Sequence, residues 1–333
     1  MSSLPLFLEI GSAPRLVGIA RIAAEGESLR EGHNVEYFTL GTRSLLNRVV
    51  SERNHPFTWA INPYRGCEFA CKYCYARYTH EFMELRNGVD FERKIFVKQH
   101  AAEQLRSELK KVKRDDGIAI GTATDPYQPA ERRFEVTRAI LEELALHSGL
   151  SIGIVTKSNM ITRDTEILRR LGERNRISVS VTVTTMDTEL ARKLEPRAPR
   201  PDLRLEAVRQ LNLAGVYTGV NCAPVLPEIT DRPRDLETLV KAASAVGAKY
   251  IFPNPLFLKP CSAAVFLPFL EEQFPALVEF YRKRYADRAF LPKGYGQRLS
   301  ELMEVFRRKY GMRNERGRGS RRTQLEDEQM KLF

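Results

Sequence analysis

The sequence predicts an α/β protein, an open partial (β/α)6 barrel with N- and C-terminal extensions. Six short apolar segments that suit strands alternate with longer amphipathic segments that suit helices, which is the pattern of a parallel sheet with right-handed crossovers. The chain has 333 residues, 43% of them hydrophobic, which is enough to bury one large core. An α/β barrel typically takes ~250 residues. The same periodicity also fits a doubly wound open sheet.

The repeating units occupy the middle of the chain. The predicted strands are 57–61, 118–121, 150–156, 177–183, 216–222 and 250–252. The predicted helices are 100–111, 131–147, 164–171, 203–214, 235–246, 271–286 and 297–309. We therefore divide the chain into an N-terminal extension at 1–55, a core barrel at 56–265, a C-terminal helical region at 266–310 and a basic tail at 311–333.

The chain is basic, with 53 Lys and Arg residues against 42 Asp and Glu residues and a net charge of +11. This excess favours a polyanionic partner such as nucleic acid, although charge dispersed over a basic enzyme explains it equally well. No apolar run approaches the ~20 residues of a membrane span, and the N-terminus lacks the pattern of a secretion signal. We expect a cytoplasmic protein that makes no use of membranes.

Three cysteines, Cys67, Cys71 and Cys74, form the pattern C-x-x-x-C-x-x-C after the first predicted strand. Three thiolates in one loop suit an iron–sulfur cube, and a trio leaves one iron for a ligand from outside the protein. A structural zinc site would need a fourth ligand, for which His80 is the nearest candidate. A disulfide would leave one thiol over, and nothing else indicates an oxidising compartment. Spacing and context favour the cluster.

Polar residues follow the second to the sixth predicted strands, where the carboxyl ends of parallel strands gather the sites of α/β proteins. The set comprises 121–131, 156–159, Ser178, Ser180, Thr182, Thr184, Thr185, 221–227 and 253–255. Any one of them could simply make a turn, since Pro, Asn, Asp and Gly are common in loops. As a set, they predict a site at this end of the barrel.

The cysteine loop resembles the signature of the radical S-adenosylmethionine enzymes, in which an aromatic residue, here Tyr73, precedes the third cysteine. The resemblance implies that the three cysteines hold a 4Fe–4S cluster whose fourth iron is chelated by S-adenosylmethionine. It implies reductive cleavage of that cofactor to a 5′-deoxyadenosyl radical, which abstracts hydrogen from a substrate. An electron donor such as flavodoxin or ferredoxin is implied as well. The family uses an open six-stranded (β/α) barrel, which agrees with the strand pattern.

Segments within 62–227, about half of the chain, are similar to one branch of this family, the group typified by spore photoproduct lyase. They are 67–75, 122–125, Thr156-Lys157, Glu195-Pro196, Ala214-Gly215 and Ala223-Pro224. The resemblance implies that Thr124 binds the amino group of S-adenosylmethionine and that Lys157 contacts the same cofactor. Ser180 or Thr182 would approach its ribose or carboxylate. Tyr73 is grouped with these cofactor-binding residues, and Tyr75 is a candidate hydrogen relay.

One departure from that branch concerns the hydrogen donor. The lyase group carries a donor cysteine just before the turn that is Thr122 to Asp125 here, whereas this chain has no sulfur at that place. Photoproduct cleavage itself is therefore not expected. Cys222, at the predicted end of the fifth strand, could replace the donor, because a thiol near the cofactor can quench a carbon radical. The alternative is a buried core cysteine.

Two further segments concentrate positive charge. One connection contains Arg192, Lys193, Arg197, Arg200 and Arg204, which could track a phosphate backbone or form a solvated face. The tail at 311–333 combines Arg, Gly and Ser and is expected to be disordered.

The tail ends in Gln329, Met330, Lys331, Leu332 and Phe333. This pentapeptide resembles the short motif by which bacterial repair and replication proteins hold the β sliding clamp. The resemblance implies that Gln329, Met330, Leu332 and Phe333 dock on the clamp. The alternative is a tail that folds back onto the barrel.

The sequence thus predicts a radical enzyme that acts on a nucleic acid, in DNA repair or modification. A second interpretation keeps the radical chemistry but applies it to a peptide or a small metabolite. A third is a non-catalytic iron–sulfur or zinc module that recruits other factors.

Overall fold

The structure is a computed structural model that describes residues 16–32, 35–49, 57–114 and 116–312. The predicted docking peptide at 329–333 and almost all of the predicted basic tail lie outside the described residues, as does part of the predicted N-terminal extension. Every helix within the described ranges is too short or too polar to cross a lipid bilayer.

The described residues contain eleven strands and thirteen α-helices. The strands are β1 Ser28–Gly32, β2 Val35–Leu40, β3 Leu46–Arg48, β4 Trp59–Ile61, β5 Tyr64–Arg65, β6 Lys94–Lys98, β7 Gly117–Ile120, β8 Ser151–Thr156, β9 Arg176–Thr182, β10 Thr218–Val225 and β11 Ile251–Pro255. The helices are α1 Gly18–Ala24, α2 Tyr78–Glu81, α3 Asp90–Arg93, α4 Ala101–Glu108, α5 Glu131–Phe134, α6 Val136–Leu144, α7 Thr165–Arg174, α8 Thr188–Leu194, α9 Pro201–Leu213, α10 Pro233–Ala245, α11 Pro260–Gln273, α12 Val278–Tyr285 and α13 Lys293–Lys309.

The larger sheet has the strand order β11-β10-β9-β8-β7-β4-β3. The six strands from β4 to β11 run parallel to their neighbours, and β3 pairs antiparallel with β4 at one edge. The parallel strands follow the order of the chain without the reversal that defines a doubly wound sheet, so right-handed crossovers place the helices on one face. The predicted α/β fold class, an open partial (β/α)6 barrel, is confirmed.

A smaller sheet, in the order β1-β2-β6-β5, was not predicted from the sequence. Its strand β5 follows β4 after only two residues, and its partner β6 lies antiparallel to it. The cysteine loop begins directly after β5. The smaller sheet therefore supports one side of that loop.

Two predicted helices differ from the structure. The predicted helix 131–147 is divided into α5 and α6 at Glu135, which has a φ of 50°. The helix predicted at 271–286 begins later, at Val278, and is preceded by α11, which contains Pro268. The predicted boundary between residues 265 and 266 consequently falls inside α11.

The main hydrophobic core lies between the barrel strands and the surrounding helices, and it includes Val220, Val240 and Ile251. Helix α13 adds Met303 and Phe306 to this core and packs against β11 and α10. Its Arg307 donates a hydrogen bond of 3.2 Å to the Ile251 carbonyl on β11. The last described helix thus covers one edge strand of the barrel.

Candidate active site

A cavity of about 1760 Å³ opens beside the cysteine loop at the carboxyl ends of the barrel strands. The loop contributes all three cysteines, Cys67, Cys71 and Cys74, to its wall. The cavity continues down the interior of the barrel to Gly117 and Ser151 at the amino ends of β7 and β8. The three thiols therefore share one space with the polar strand ends that the sequence singled out.

Gly66 sets the entry of the cysteine loop. It has a φ of +86°, and a Cβ there would lie 2.7 Å from the Lys94 carbonyl oxygen, so only glycine fits. The Thr124 hydroxyl donates to the Gly66 carbonyl at 2.5 Å, and the Gln128 amide donates to the same carbonyl at 3.1 Å. The turn after β7 thus holds the start of the loop.

Glu68 is a second anchor of the loop. Its buried carboxylate accepts hydrogen bonds from the Tyr37 hydroxyl at 2.9 Å and from the Ala130 backbone N–H at 2.7 Å. Tyr37 belongs to the smaller sheet, and Ala130 precedes α5. Because both partners lie on separate elements, the loop is fixed against the barrel and the smaller sheet together.

Burial raises the pKa of all three thiols, that of Cys71 to about 12. Nearby cations act in the opposite direction, Lys157 on Cys71 and Arg77 on Cys74. Arg77 also donates to the Cys71 carbonyl at 3.0 Å and pairs with Glu92 at 2.7 Å. These cations favour the thiolate forms that a metal requires.

The donor set of this loop fits an iron–sulfur cluster. Within the described ranges, no three His, Cys, Asp or Glu side chains converge on a point that could hold a single metal ion. A 4Fe–4S cube makes no such demand, because each thiolate ligates a different iron. His80, the candidate fourth zinc ligand, packs against Phe91 and Phe96, and its Nε2 lies 3.0 Å from the Lys94 carbonyl oxygen. The cavity beside the thiols leaves room for an external ligand.

Lys157, at the end of β8, lies in a buried network with Tyr73 and Glu195. Its Nζ is 4.0 Å from a Glu195 carboxylate oxygen and 5.7 Å from the centre of the Tyr73 ring. The Tyr73 hydroxyl donates to Glu195, and the Thr184 hydroxyl donates to the same carboxylate at 2.8 Å. Lys157 remains 17% exposed and lines the cavity, so its ammonium can meet an anion there.

Asp125 fixes the position of Lys157 from the other side. Its carboxylate accepts hydrogen bonds from the Thr156 hydroxyl at 2.6 Å and from the Lys157 backbone N–H at 2.7 Å. It also accepts from the Tyr127 N–H at 2.9 Å. This carboxylate therefore links the turn after β7 to the end of β8, a role that the sequence analysis did not assign.

The structure places the other predicted cofactor residues in the same cavity wall. Ser180 and Thr182 on β9 line it, and the Ser180 hydroxyl lies 3.0 Å from that of Tyr250. Thr124 lines it too, although its hydroxyl is already bonded to the Gly66 carbonyl. Tyr75 lines it with its hydroxyl donating to the Thr122 carbonyl. Contacts of these side chains with a cofactor stay predictions.

Cys222 lies elsewhere. Its neighbours on β10, Asn221 and Ala223, line the cavity, whereas Cys222 is fully buried in the main hydrophobic core. Alternation along a strand explains this, since successive side chains point to opposite faces. Burial also raises the pKa of its thiol to about 12. The placement disfavours the hydrogen-donor hypothesis and favours the core alternative.

The structure also corrects the prediction for one arginine of the basic run, which was expected to track a phosphate backbone or to form a solvated face. Arg204 is only 1% exposed and forms an ion pair of 2.5 Å with Glu195. The sequence alone could not predict this placement, because it depends on how the first turn of α9 directs the Arg204 side chain. Its partner Glu195 is thereby held against Tyr73.

A six-unit α/β barrel with three thiols in the wall of its cavity is the architecture of a radical S-adenosylmethionine enzyme. The chain matches the model of the Radical SAM superfamily over residues 61–241 and belongs to that superfamily. Membership implies a 4Fe–4S cluster and S-adenosylmethionine as cofactors.

Relatives extend the match beyond this region. An uncharacterized protein of Mycobacterium tuberculosis (strain ATCC 25618 / H37Rv) is 36% identical over 80% of this chain and 79% of its own length. An uncharacterized protein of Methanocaldococcus jannaschii is 26% identical over 70% of this chain and 83% of its own length. A radical SAM Nα-GlyT isomerase of Pseudomonas phage M6 is 25% identical over 67% of this chain and 42% of its own length.

Among solved structures, spore photoproduct lyase complexed with dinucleoside spore photoproduct is similar to the chain in fold. The TM-score is 0.62 at 16% identity, and the superposition covers 82% of this chain and 79% of that one. At this level of identity the likeness concerns the fold.

Proposed function

We propose that the protein is a radical enzyme that starts hydrogen abstraction on a nucleic acid, in repair or modification, from a cluster held by Cys67, Cys71 and Cys74. When bound, the cluster and S-adenosylmethionine supply reductive cleavage to a 5′-deoxyadenosyl radical. The observation that carries the proposal is that the three thiols, Lys157 and the β9 hydroxyls line one cavity.

The chain's own residues prepare that cavity electrostatically. Burial opposes the charged form of Lys157, but Cys71 and Glu195 outweigh it and raise the pKa of this lysine. The ammonium therefore stays protonated and can bind the carboxylate of a cofactor. In Tyr75, by contrast, burial itself raises the pKa of the hydroxyl well above its usual value. Tyr75 thus keeps its proton and its hydrogen bond to Thr122.

An aromatic cluster that starts in the cavity wall, with a lysine beside it, supports a nucleic acid as the substrate. The Tyr75 and Phe257 rings are 6.0 Å apart, and the Phe257 and Phe290 rings are 4.4 Å apart. The Lys259 ammonium lies 3.8 Å from the centre of the Tyr78 ring. Aromatic faces beside cations are the usual means of holding unpaired bases and their backbone. The net charge of +11 and the fold shared with a dinucleoside-binding lyase agree.

The lyase group has a donor cysteine for photoproduct cleavage, and the reaction that we propose does not use one. Gly121, Thr122 and Ala123 stand where the lyase group has its donor, and Cys222 lies in the core. A carbon radical on the substrate would therefore have no cysteine of this chain beside it from either position. Modification or rearrangement of the substrate is the outcome that this arrangement favours.

The radical step is tested with anaerobically reconstituted protein, S-adenosylmethionine and a low-potential reductant. We expect about four irons per chain, and 5′-deoxyadenosine and methionine as products. Cys71→Ala should lose both iron and products, whereas the matched control Cys261→Ala should keep both. Full iron content in Cys71→Ala, or stoichiometric zinc without iron in the wild type, would contradict the proposal.

The substrate class is tested separately by binding to oligonucleotides at several salt concentrations. Phosphate contacts release counterions, so the affinity for a nucleic acid should fall steeply as salt increases, whereas binding of a neutral metabolite should not. Cofactor cleavage without any oligonucleotide binding would favour the peptide or metabolite alternative.

A further inference from the structure

We propose that Arg65 and Lys98 form a phosphate-binding subsite in the wall of the cavity. The inference rests on the proposed function in one respect: if the substrate is a nucleic acid, the group bound is a backbone phosphodiester. The same pair would also accept the phosphoryl group of a small metabolite, and the experiment below separates these sources.

The pairing of β5 with β6 brings the two cations together. Arg65 on β5 lies opposite Phe96 on β6, and Lys98 follows Phe96 by two residues. Opposed residues of an antiparallel pair and residues two apart on one strand share a face of the sheet. Arg65 and Lys98 therefore project from the same face, and both line the cavity that contains the cysteines.

Lys98 has no ion-pair partner within the described ranges. It is only 5% exposed, and its ammonium has no hydrogen bond or ion pair with the residues that the structure describes. Glu108 is the carboxylate that acts on it electrostatically, but Glu108 already accepts from the Leu45 and Leu46 N–H groups at 3.0 and 2.7 Å. Burial, followed by the charge of Arg65, lowers the pKa of Lys98 to about 7.

Arg65 is only partly satisfied as well. Its guanidinium donates to the Thr79 carbonyl at 3.4 Å, while its Nε is buried without a hydrogen-bond partner among the described residues. A buried cation beside a half-buried one is unfavourable unless an anion joins them. The pair is thus arranged for a dianionic or bridging group such as phosphate, which accepts several charge-assisted hydrogen bonds.

The surroundings favour a nucleotide as the source of that phosphate. Tyr78 and Phe82 line the cavity together with Arg65 and Lys98. Phe82 is 58% exposed, which leaves its ring available for stacking. An aromatic face in the same cavity as a phosphate-binding cation can stack on a base while the cation holds the backbone.

The test compares wild type with Lys98→Met and with Lys241→Met. Methionine keeps the length of the side chain and removes the charge, and Lys241 is an exposed lysine on α10 that serves as the control. For a single-stranded oligonucleotide, Lys98→Met should bind about tenfold more weakly, and its salt dependence should lose about one phosphate contact. Lys241→Met should match the wild type. Equal affinity and equal salt dependence in Lys98→Met would overturn the subsite.

A second arm uses inorganic pyrophosphate and the thermal unfolding midpoint, without any nucleic acid. The wild type and Lys241→Met should be stabilised by pyrophosphate, and Lys98→Met should not. If the wild type binds no oligonucleotide but shows this Lys98-dependent stabilisation, the nucleic-acid function fails while the phosphate subsite stands. If pyrophosphate stabilises Lys98→Met as much as the wild type, the subsite is wrong. Lys98→Gln, tested in parallel, keeps the conclusion independent of one substitution.

Discussion

Lys157 shows how single residues in this site combine opposing electrostatic effects. Burial alone would lower the pKa of its ammonium, but the nearby Cys71 and Glu195 outweigh this effect and raise the pKa. Glu195 also forms an ion pair with Arg204, so it neutralises the charge of Lys157 only in part. The Lys157 ammonium also lines the cavity, where the carboxylate of a cofactor can pair with it.

We predict that Lys157→Met weakens the binding of S-adenosylmethionine to the reconstituted protein. Loss of one charge-assisted hydrogen bond should cost about 1–3 kcal/mol. Anaerobic equilibrium dialysis measures the affinity, and iron analysis should show an unchanged cluster. Lys241→Met is the control, and an affinity equal to the wild type in Lys157→Met would refute the assigned contact.

Lys98 should make the stability of the protein depend on pH. Its pKa is about 7 in the folded chain, whereas an unperturbed lysine has a pKa of about 10.4. Between these values the unfolded chain binds more protons, so the contribution of Lys98 to stability increases as the pH rises from about 7 to about 10. Below about pH 7 the full penalty applies.

The corresponding measurement is urea unfolding of wild type and Lys98→Met at pH 6.5 and pH 9.5. The variant should be the more stable protein at pH 6.5, because it lacks the buried charge, and the difference should shrink at pH 9.5. A difference that is the same at both pH values would show that Lys98 is not desolvated in the folded state.

At the scale of elements, one ion pair joins α9 to the cysteine loop and to β9. Arg204 binds Glu195 at 2.5 Å and donates to the carbonyls of Pro199 at 2.6 Å and Thr182 at 3.1 Å. Both charged side chains are 1% exposed. Glu195 in turn accepts a hydrogen bond from the Tyr73 hydroxyl, so α9 helps to orient the cysteine loop.

Arg204→Met should therefore destabilise the protein strongly. Removing one partner of a buried ion pair typically costs about 3–5 kcal/mol, and here it leaves Glu195 with only the more distant Lys157, at 4.0 Å, as a cation. Chemical unfolding gives this value, and adding Glu195→Gln to Arg204→Met should recover part of the loss. A loss below about 1 kcal/mol in the single variant would mean that the pair is hydrated or easily replaced.

The parallel barrel strands could be predicted from the sequence because each is a local apolar run followed by polar turn residues. The cysteine loop could be found for the same reason, since its three cysteines lie within eight consecutive residues. In contrast, β5 has only two residues and carries no periodic signal. Two features depend on pairings between distant segments of the chain. One is the hydrogen bond between Glu68 and Tyr37, and the other is the position of Arg65 on the same face as Lys98. Sequence reasoning without those pairings could not identify them.

At the scale of the whole molecule, the docking peptide at 329–333 remains a proposal that the described residues do not address. We predict that a synthetic peptide of this sequence binds a bacterial β sliding clamp, because its Gln, Met, Leu and Phe match the clamp motif. Calorimetry with the peptide and the clamp measures the affinity. A peptide with Leu332 and Phe333 replaced by Ala is the control, and equal or absent binding of both peptides would contradict the proposal.

The two edges of the larger sheet bear on how the folded protein resists aggregation. On one side, β3 has only three residues, and Asn47 and Arg48 are exposed. On the other side, β11 contains Pro253 and Pro255, and Arg307 occupies the Ile251 carbonyl. Short strands, prolines and charged side chains discourage the addition of a further strand from another molecule. Self-association into fibrils should therefore begin from unfolded chains and not from the native barrel.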